Sequence, residues 1–435
     1  MALGGGTFTT QNKVLPGSYM NFVSLKAASA NLSDRGIATM ALELDWGVEN
    51  AVFEVSVEDF QENSMKIFGY YYNHEKLKGL RDLFKNITTL YAYRLNGGGA
   101  KASNTYATAK FGGVRGNDIK IIIQTNADNE SLFDVKTYID TTLVDTQTVS
   151  KADELVANDY VTFKTDASLS ATAGVALSGG ANGTVDGTAY QTYLDKIESY
   201  SFNSIGVITT EDTVKSLYVN FCKRLRDEIG VKFQAVIYNK KADFEGVVNV
   251  KNKITDESWD ESCLVYWVTG AIAGCAINKS NTNKIYDGEF AVDTDYTQTE
   301  LKNAILGGEF TLHKVGSDVR VLEDINSLVT TTEEKNDVFK DNQTIRIIDQ
   351  KANDLAVLFN TKYLGSIPND AAGRISLWSD VVKYCETLQN IRAIENFTDK
   401  DVEVKQGETK KSVVVNDSIE PIGTMTRLYM TTVIR

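Results

Sequence analysis

Residues 210–239, TEDTVKSLYVNFCKRLRDEIGVKFQAVIYN, read as a helix that hands the chain directly to a strand. Val214, Leu217, Tyr218, Phe221, Leu225 and Ile229 fall three and four apart and form one apolar stripe. Thr210 is placed to cap the start and Gly230 to end it, after which VKFQAVIYN (231–239) is strand-like. Downstream, CLVYWVTGAIAGCAI (263–277) is apolar on all sides but shorter than the roughly 20 residues a bilayer-spanning helix needs. It reads as a buried core helix. Helix, strand, apolar helix and further strand text to about 325 together predict an α/β domain over 185–325.

Toward the N-terminus, residues 96–184 are rich in Gly, Thr, Asn, Asp and Val, with short alternating runs such as DIKIIIQTN, LFDVKTYI and DYVTFKT between turn residues. Such runs predict an inserted β-sandwich, closed by the glycine-rich LSGGANGTVDGTAY (177–190). Residues 25–95 mix alternating text, AVFEVSVEDF (51–60), with Leu77, Leu80, Leu83 and Phe84 at helical spacing, and predict a small α+β domain. From 326 to 422 a further α+β domain is expected. Ile345, Ile348, Ala352, Leu355 and Phe359 mark one helix and ISLWSDVVKYCETLQNI (375–391) a second, followed by the strand-like KKSVVVNDSI (410–419). The fold class is α+β multidomain, with an α/β core region, an inserted β-sandwich and a C-terminal α+β domain.

The chain has 435 residues, enough for several cores, and 42% hydrophobic with 24% charged residues is globular composition rather than disorder or coiled coil. A net charge of −13 opposes any role whose affinity comes from DNA or RNA phosphates, so no nucleic-acid partner is expected. Cys222, Cys263, Cys275 and Cys385 are far apart, with no CxxC, and no basic-then-apolar leader precedes them. Reduced, buried thiols in a protein folded in a cytoplasm are expected, with no metal and no cofactor.

Catalytic patterns are missing. A hydrolase needs a nucleophile with a base, and the two histidines sit in a polar turn (His74, in YYYNHEKLKG) and a strand or hairpin (His313, in GGEFTLHKVG). LNGGGAKAS (95–103) lacks the spacing of a phosphate-binding loop, and GGANGTVDG (179–187) lacks the strand and spacing of a dinucleotide-binding one. TDESWDES (255–262) lacks the ligand alternation of a calcium loop and reads as an acidic turn. No catalytic, cofactor or metal residue is assigned.

The two ends raise a different possibility. TFTTQNKVLPGSYMNFVS (7–24) is too apolar for a solvated tail, with Tyr19, Asn21 and Val23 on one face of an extended chain and Met20, Phe22 and Ser24 on the other. GTMTRLYMTTVIR (423–435) places Thr426, Leu428, Met430, Thr432 and Ile434 on one face. A strand carries donors and acceptors that must complete a sheet edge in its own chain or in a neighbour. About 20 extended residues span on the order of 65 Å, enough to reach an adjacent subunit.

LPGSYMNF (15–22), SDRGIATMALELDWG (33–47), AYRLNGGGAKAS (92–103), AKFGGVRGNDIKIII (109–123) and VRVLEDINSLVT (319–330) come in an order that resembles the tail sheath proteins of contractile phage tails and phage-tail-like bacteriocins. The sheaths of Gram-positive, PBSX-type particles are the most similar. The resemblance implies a structural, non-enzymatic subunit that stacks as (hexameric) rings around an inner tube and contracts to drive the tube through a bacterial envelope. Its implied partners are other copies of itself, the inner tail tube protein, and baseplate and tail-terminator proteins, with no membrane insertion. Its implied place is a virion or tail-like particle assembled in the bacterial cytoplasm.

Residues 1–24 and 423–435 then correspond to exchanged arms, with Val14, Leu15, Tyr19, Met20, Phe22, Val23, Leu428, Met430 and Ile434 as intersubunit residues. The family's C-terminal domain lies nearest the tube. Residues 371–435 carry nine Lys/Arg and nine Asp/Glu, so the acidity resides upstream. Arg346, Lys351, Lys383 and Arg392 are the candidates for facing the tube. Two other readings stand beside this one: a cell-surface or surface-layer protein, suggested by the sandwich, and a hydrolase-like domain, suggested by the α/β text.

Overall fold

The computed structural model describes residues 32–434. The predicted arm at 1–24, with Val14, Leu15, Tyr19, Met20, Phe22 and Val23, lies outside them. In chain order the first segment contains β1 (Ile37–Leu42), β2 (Val52–Ser56), α1 (Val57–Glu62), α2 (Ser64–Phe68), α3 (Lys78–Phe84) and β3 (Thr89–Arg94). An all-β insertion follows: β4 (Ala107–Ala109), β5 (Ile119–Thr125), β6 (Phe133–Ile139), β7 (Thr142–Val149), β8 (Val161–Phe163) and β9 (Thr172–Ala176). Then come α4 (Gly187–Ile197), β10 (Ser204–Val207), α5 (Asp212–Lys223), β11 (Gln234–Tyr238), β12 (Val247–Val250) and α6 (Leu264–Gly274). α7 (Gln298–Leu306), β13 (Glu309–Phe310), β14 (Leu312–Val315), β15 (Asp318–Val321), α8 (Asn342–Leu358) and α9 (Ala371–Asn390) follow, and short strands, among them Val402–Gln406 and Val413–Asp417, come after α9.

One seven-stranded sheet, in the order β13-β12-β11-β10-β1-β3-β2, organises the body, and only β2 runs antiparallel to its neighbour. Every residue of β10, β11 and β12 is buried, as parallel strands covered on both faces require. One face packs on α3 and α6 through Leu80, Leu83, Trp267, Val268 and Ile272, the other on α4 and α5 through Tyr193, Leu194, Tyr218 and Phe221. α6 is the buried core helix that its apolar sequence predicts, with all but Tyr266 and the terminal Gly274 buried. Close approach requires its glycine: a Cβ on Gly270 would lie 2.5 Å from the Leu83 carbonyl of α3.

The sheet draws its strands from two segments that are far apart in sequence. β1 lies between β10 and β3, with Ala38 opposite both Ser204 of β10 and Leu90 of β3. The 37–94 and 204–310 segments build a single sheet that the insertion interrupts only in sequence. Within the insertion, the sheet β7-β6-β5-β9 and the pair β4-β8 enclose Ile119, Ile121, Val135, Ile139, Val161 and Phe163. This is the inserted β-sandwich expected from the alternating runs.

Local expectations also change at the opening stretch. Thr210 is not the cap; Thr209 Oγ1 accepts from the Glu211 amide at 3.0 Å and α5 begins at Asp212. Residues 224–229 form a wider π turn, closed by the Gly230 amide on the Leu225 carbonyl at 2.8 Å, with Gly230 at φ +91°. The wider turn rotates the stripe, so Leu225 is buried while Ile229 is 58% exposed.

The described chain separates into two compact units. The body holds Ser33–Asn353, Ile391–Glu395 and Pro421 onward; the second unit holds Asp354–Asn390 and Asn396–Glu420. The first half of α8 is bound into the body by buried ion pairs. Arg226 reaches both oxygens of Asp349 at 2.6 and 2.8 Å, and Arg346 Nη2 reaches Asp324 at 2.6 Å. In the second unit, α9 packs on the hairpin Val402–Gln406/Val413–Asp417, pinned where Trp378 Nε1 donates to the Val402 carbonyl at 3.0 Å. Cys222, Cys263 and Cys385 are buried and Cys275 half-buried, none of them in a disulfide.

Candidate assembly surface

The end of the chain leaves the body at a defined point. Gln343, 1% exposed at the start of α8, donates through Nε2 to the Ile422 carbonyl at 2.9 Å and accepts from the Thr424 amide at 3.2 Å. It thus holds the backbone on both sides of Gly423, much as a strand partner would. The Ile422 amide donates to the Ala393 carbonyl at 2.9 Å. Beyond the clamp, Arg427 pairs with Glu323 at 3.1 Å in an exposed position.

No ladder pairing is recorded for 423–434, so the predicted strand is not formed within the described chain. The side chains there are uncovered. Met425, Leu428, Tyr429, Met430, Val433 and Ile434 are each 78% exposed or more. Burying one such side chain is worth roughly 1.5–3 kcal/mol, so the row is a large unused apolar surface.

The second unit offers a matching kind of surface. Among the described residues its hairpin has no third strand, and Val414 and Val415 are 43% and 38% exposed. The hairpin's geometry is set locally: Asn369 Nδ2 donates to the Ser412 and Lys410 carbonyls at 2.7 and 3.1 Å. Leu355, Leu358, Phe359, Leu377, Val381, Val413 and Val415 line an apolar groove of about 330 Å³ in the same unit. The unit therefore carries an open strand edge beside an open apolar groove.

Of the four tube candidates, Lys383 and Arg392 are exposed, Arg392 at a left-handed φ of 62°. Arg346 and Lys351 are buried, at 1% and 8% exposure. Arg346 is corrected to an interior group. Burial acts to raise the Asp324 pKa, yet the Arg346 charge and the hydrogen bonds from Arg346, the Asn281 amide and Asn342 bring it below the ordinary carboxylate value. Helical spacing alone could not reveal this, because Arg346 lies one residue from the apolar Ile345 and Ile347 and the interior partner, Asp324, is 22 residues away.

The residues screened for chemistry are built into the fold. His74 Nδ1 accepts from the Lys76 amide at 3.2 Å and its ring stacks on Tyr70; burial, then the Arg115 charge, lowers its pKa. His313 lies in the β14-β15 hairpin opposite Arg320, its pKa lowered by burial. Asp256 of the acidic turn is held by Lys78 at 2.6 Å, and Asp260 caps the Ser262 amide. The two glycine-rich loops meet: the Gly183 amide donates to the Asn96 carbonyl at 3.0 Å and Ala181 to Ala100 at 3.1 Å, tying the sandwich's entrance to its exit. Among the described residues no group of three or more His, Cys, Asp or Glu is placed to hold a metal.

Comparison with known proteins gives this surface its context. The chain is 34% identical to the phage-like element PBSX protein XkdK of Bacillus subtilis (strain 168), over 98% of the chain and 99% of that relative. Four family models tile it: the tail sheath Gp18 domain III N-terminal region (35–95), the tail sheath β-sandwich domain (96–182), the central domain (183–327) and the C-terminal domain (334–435). The chain belongs to the phage tail sheath family.

A crystal structure of a sheath tail protein from Desulfitobacterium hafniense matches the sheath chain with a TM-score of 0.82 at 35% identity, covering 94% of this chain and 98% of that one. The contracted helical sheath of the anti-feeding prophage shares the fold at a TM-score of 0.59 and 11% identity, over 97% and 99% of the two chains. Sheath proteins are structural components of a phage tail or tail-like particle. The first and third family models divide the sequence where the seven-stranded sheet unites it.

Proposed function

We propose that this sheath subunit polymerises through its two termini as a helical stack of hexameric rings around an inner tube, and that the stack shortens to drive the tube through a bacterial envelope. The observation that carries the reading is the uncovered apolar row at 425–434, held by the Gln343 clamp where it leaves the body. It needs a strand edge, and the second unit of a neighbouring copy offers one at Val413–Asp417, next to the apolar groove. Strand addition of this kind uses backbone pairing for affinity and alternate side chains for fit. Identical head-to-tail contacts with a non-closing rotation generate a helical array.

Each ladder bond contributes about 1 kcal/mol net and each buried Leu or Met about 2 kcal/mol, so one arm adds several kilocalories while remaining a flexible tie. Bodies tied in this way rotate and repack without the array dissolving. The energy of contraction comes from new body contacts, released from a metastable extended state. Residues 1–24 form the companion arm. Lys383 and Arg392 remain the tube-facing candidates, the sandwich faces outward, and baseplate and terminator proteins meet the ends of the stack during assembly in the bacterial cytoplasm.

The test is negative-stain electron microscopy of the full chain and of chains lacking 1–22 or 423–435, with and without the tube protein. Tubes or stacked rings from the full chain, lost on trimming either end, are expected. Equal assembly by both truncated chains overturns the arm mechanism.

A further inference from the structure

Glycine-rich loops bound the sandwich at both ends and read as linkers to an independent domain. We infer instead that sandwich and body are locked into one cooperative unit by an exchange of buried side chains, so that the sandwich neither swings nor opens on its own. The inference is independent of how the subunit assembles.

Trp46 carries it. By sequence it belongs to the body, just past the end of β1, yet it is wholly buried in the apolar core of the sandwich, where it is the largest side chain. Its ring meets Phe111 edge-on at 5.2 Å and stacks on Tyr160 at 6.3 Å. Its Nε1 donates back to the body, to the Lys66 carbonyl of α2 at 3.2 Å. One indole thus fills the core of one piece and satisfies the backbone of the other. A sandwich parted from the body would keep a hole where this ring sits, and such a cavity is filled only in part by its surroundings.

The sandwich reaches back through Arg115, which is itself buried. Its Nε donates to the Gly69 carbonyl of the body at 2.7 Å and its guanidinium lies 4.7 Å from the centre of the Tyr70 ring, while Asp118 and Asp140 of the sandwich hold the other two nitrogens. Arg94, at the end of β3, has a fully buried side chain that donates to the Gly112 carbonyl at 2.8 Å and to Asn182 Oδ1 at 3.4 Å. Asp45 accepts from Asn182 Nδ2 at 2.8 Å and from the Tyr70 hydroxyl at 2.7 Å. The backbones also close on each other: a Cβ on Gly113, at φ +128°, would collide with the Asp45 carbonyl.

A buried charge stripped of its partners is costly, so parting the two pieces is opposed at Arg94, Arg115 and Asp45 as well as at Trp46. Rotation about the glycine loops would disturb all four together. The glycine at 113 serves close approach rather than hinge motion, and whatever the sandwich touches is carried with the body.

The deciding experiment is native-state hydrogen exchange of the full chain, read by mass spectrometry across low denaturant concentrations. Peptides from β5 and β6 of the sandwich should share one opening free energy and one denaturant slope with peptides from β1 and β3 of the body. Sandwich peptides that open more easily, with a shallower slope, overturn the proposal. Trp46→Ala should speed exchange in both sets by the same factor, on the order of 10³, as truncation of a buried tryptophan does. Trp46→Phe, a milder change that keeps the chain folded, should speed both equally by about tenfold. Acceleration confined to the sandwich in either variant overturns the proposal as well.

Discussion

Replacing Leu428 and Met430 together by alanine separates folding from assembly. The two side chains are 86% and 78% exposed in the subunit, so their removal leaves its core untouched and should change its stability by no more than about 0.5 kcal/mol. In the polymer both are to be buried against a neighbour. At about 2 kcal/mol for each buried Leu or Met, the pair removes roughly 4 kcal/mol from every arm contact. At 1.4 kcal/mol per factor of ten, the association constant of one contact falls about 10³-fold, and the concentration needed for polymer rises steeply. The assay is pelleting of polymer across a concentration series, read beside the thermal midpoint of the unassembled chain. Polymer at the unaltered concentration refutes the arm reasoning. A midpoint lowered by several degrees refutes it differently, by showing that the segment packs in its own fold.

Asp82 makes a pH-dependent prediction: burial raises its pKa from 3.8 to about 6, against the hydrogen bonds from Tyr286 and the Glu289 amide, which lower it. The folded state therefore holds a proton that the unfolded state has lost between those values, so this group's contribution to stability falls as pH rises from about 4 to 6, by on the order of 3 kcal/mol. Asp82→Asn should lack that slope, and parallel denaturation profiles for the two chains between pH 4 and 7 would refute the assignment. Gly270→Ala places a Cβ 2.5 Å from the Leu83 carbonyl, a backbone atom that cannot swing aside, and should cost about 1–3 kcal/mol in chemical denaturation. An unchanged midpoint would show that α3 and α6 separate freely.

Much of the fold is legible because local patterns report local structure. The stripe at Val214, Tyr218 and Phe221, the all-apolar run that becomes α6, and the alternation in IKIIIQT and FDVKTYI each report the burial that their own element needs. The exposed row at Leu428, Met430 and Ile434 is legible for the same reason: apolar residues at alternate positions in an end segment imply a partner, whoever supplies it. The Gln343 clamp was not legible. A glutamine in a helical stretch carries no mark that its amide will hold residues 422 and 424, about 80 positions later.

By itself, then, the sequence determined the kinds of element, the inserted β-sandwich and the family, since periodicity, turn chemistry and ordered segments are properties of short stretches. Tertiary structure alone decided what those stretches share. It joined β1 to β10 across the whole insertion, drew the first half of α8 into the body, and turned Arg346 from a surface cation into a buried partner of Asp324. Pairings of this sort depend on which distant groups can satisfy a buried hydrogen bond or charge, and that requirement is met only once the chain is closed.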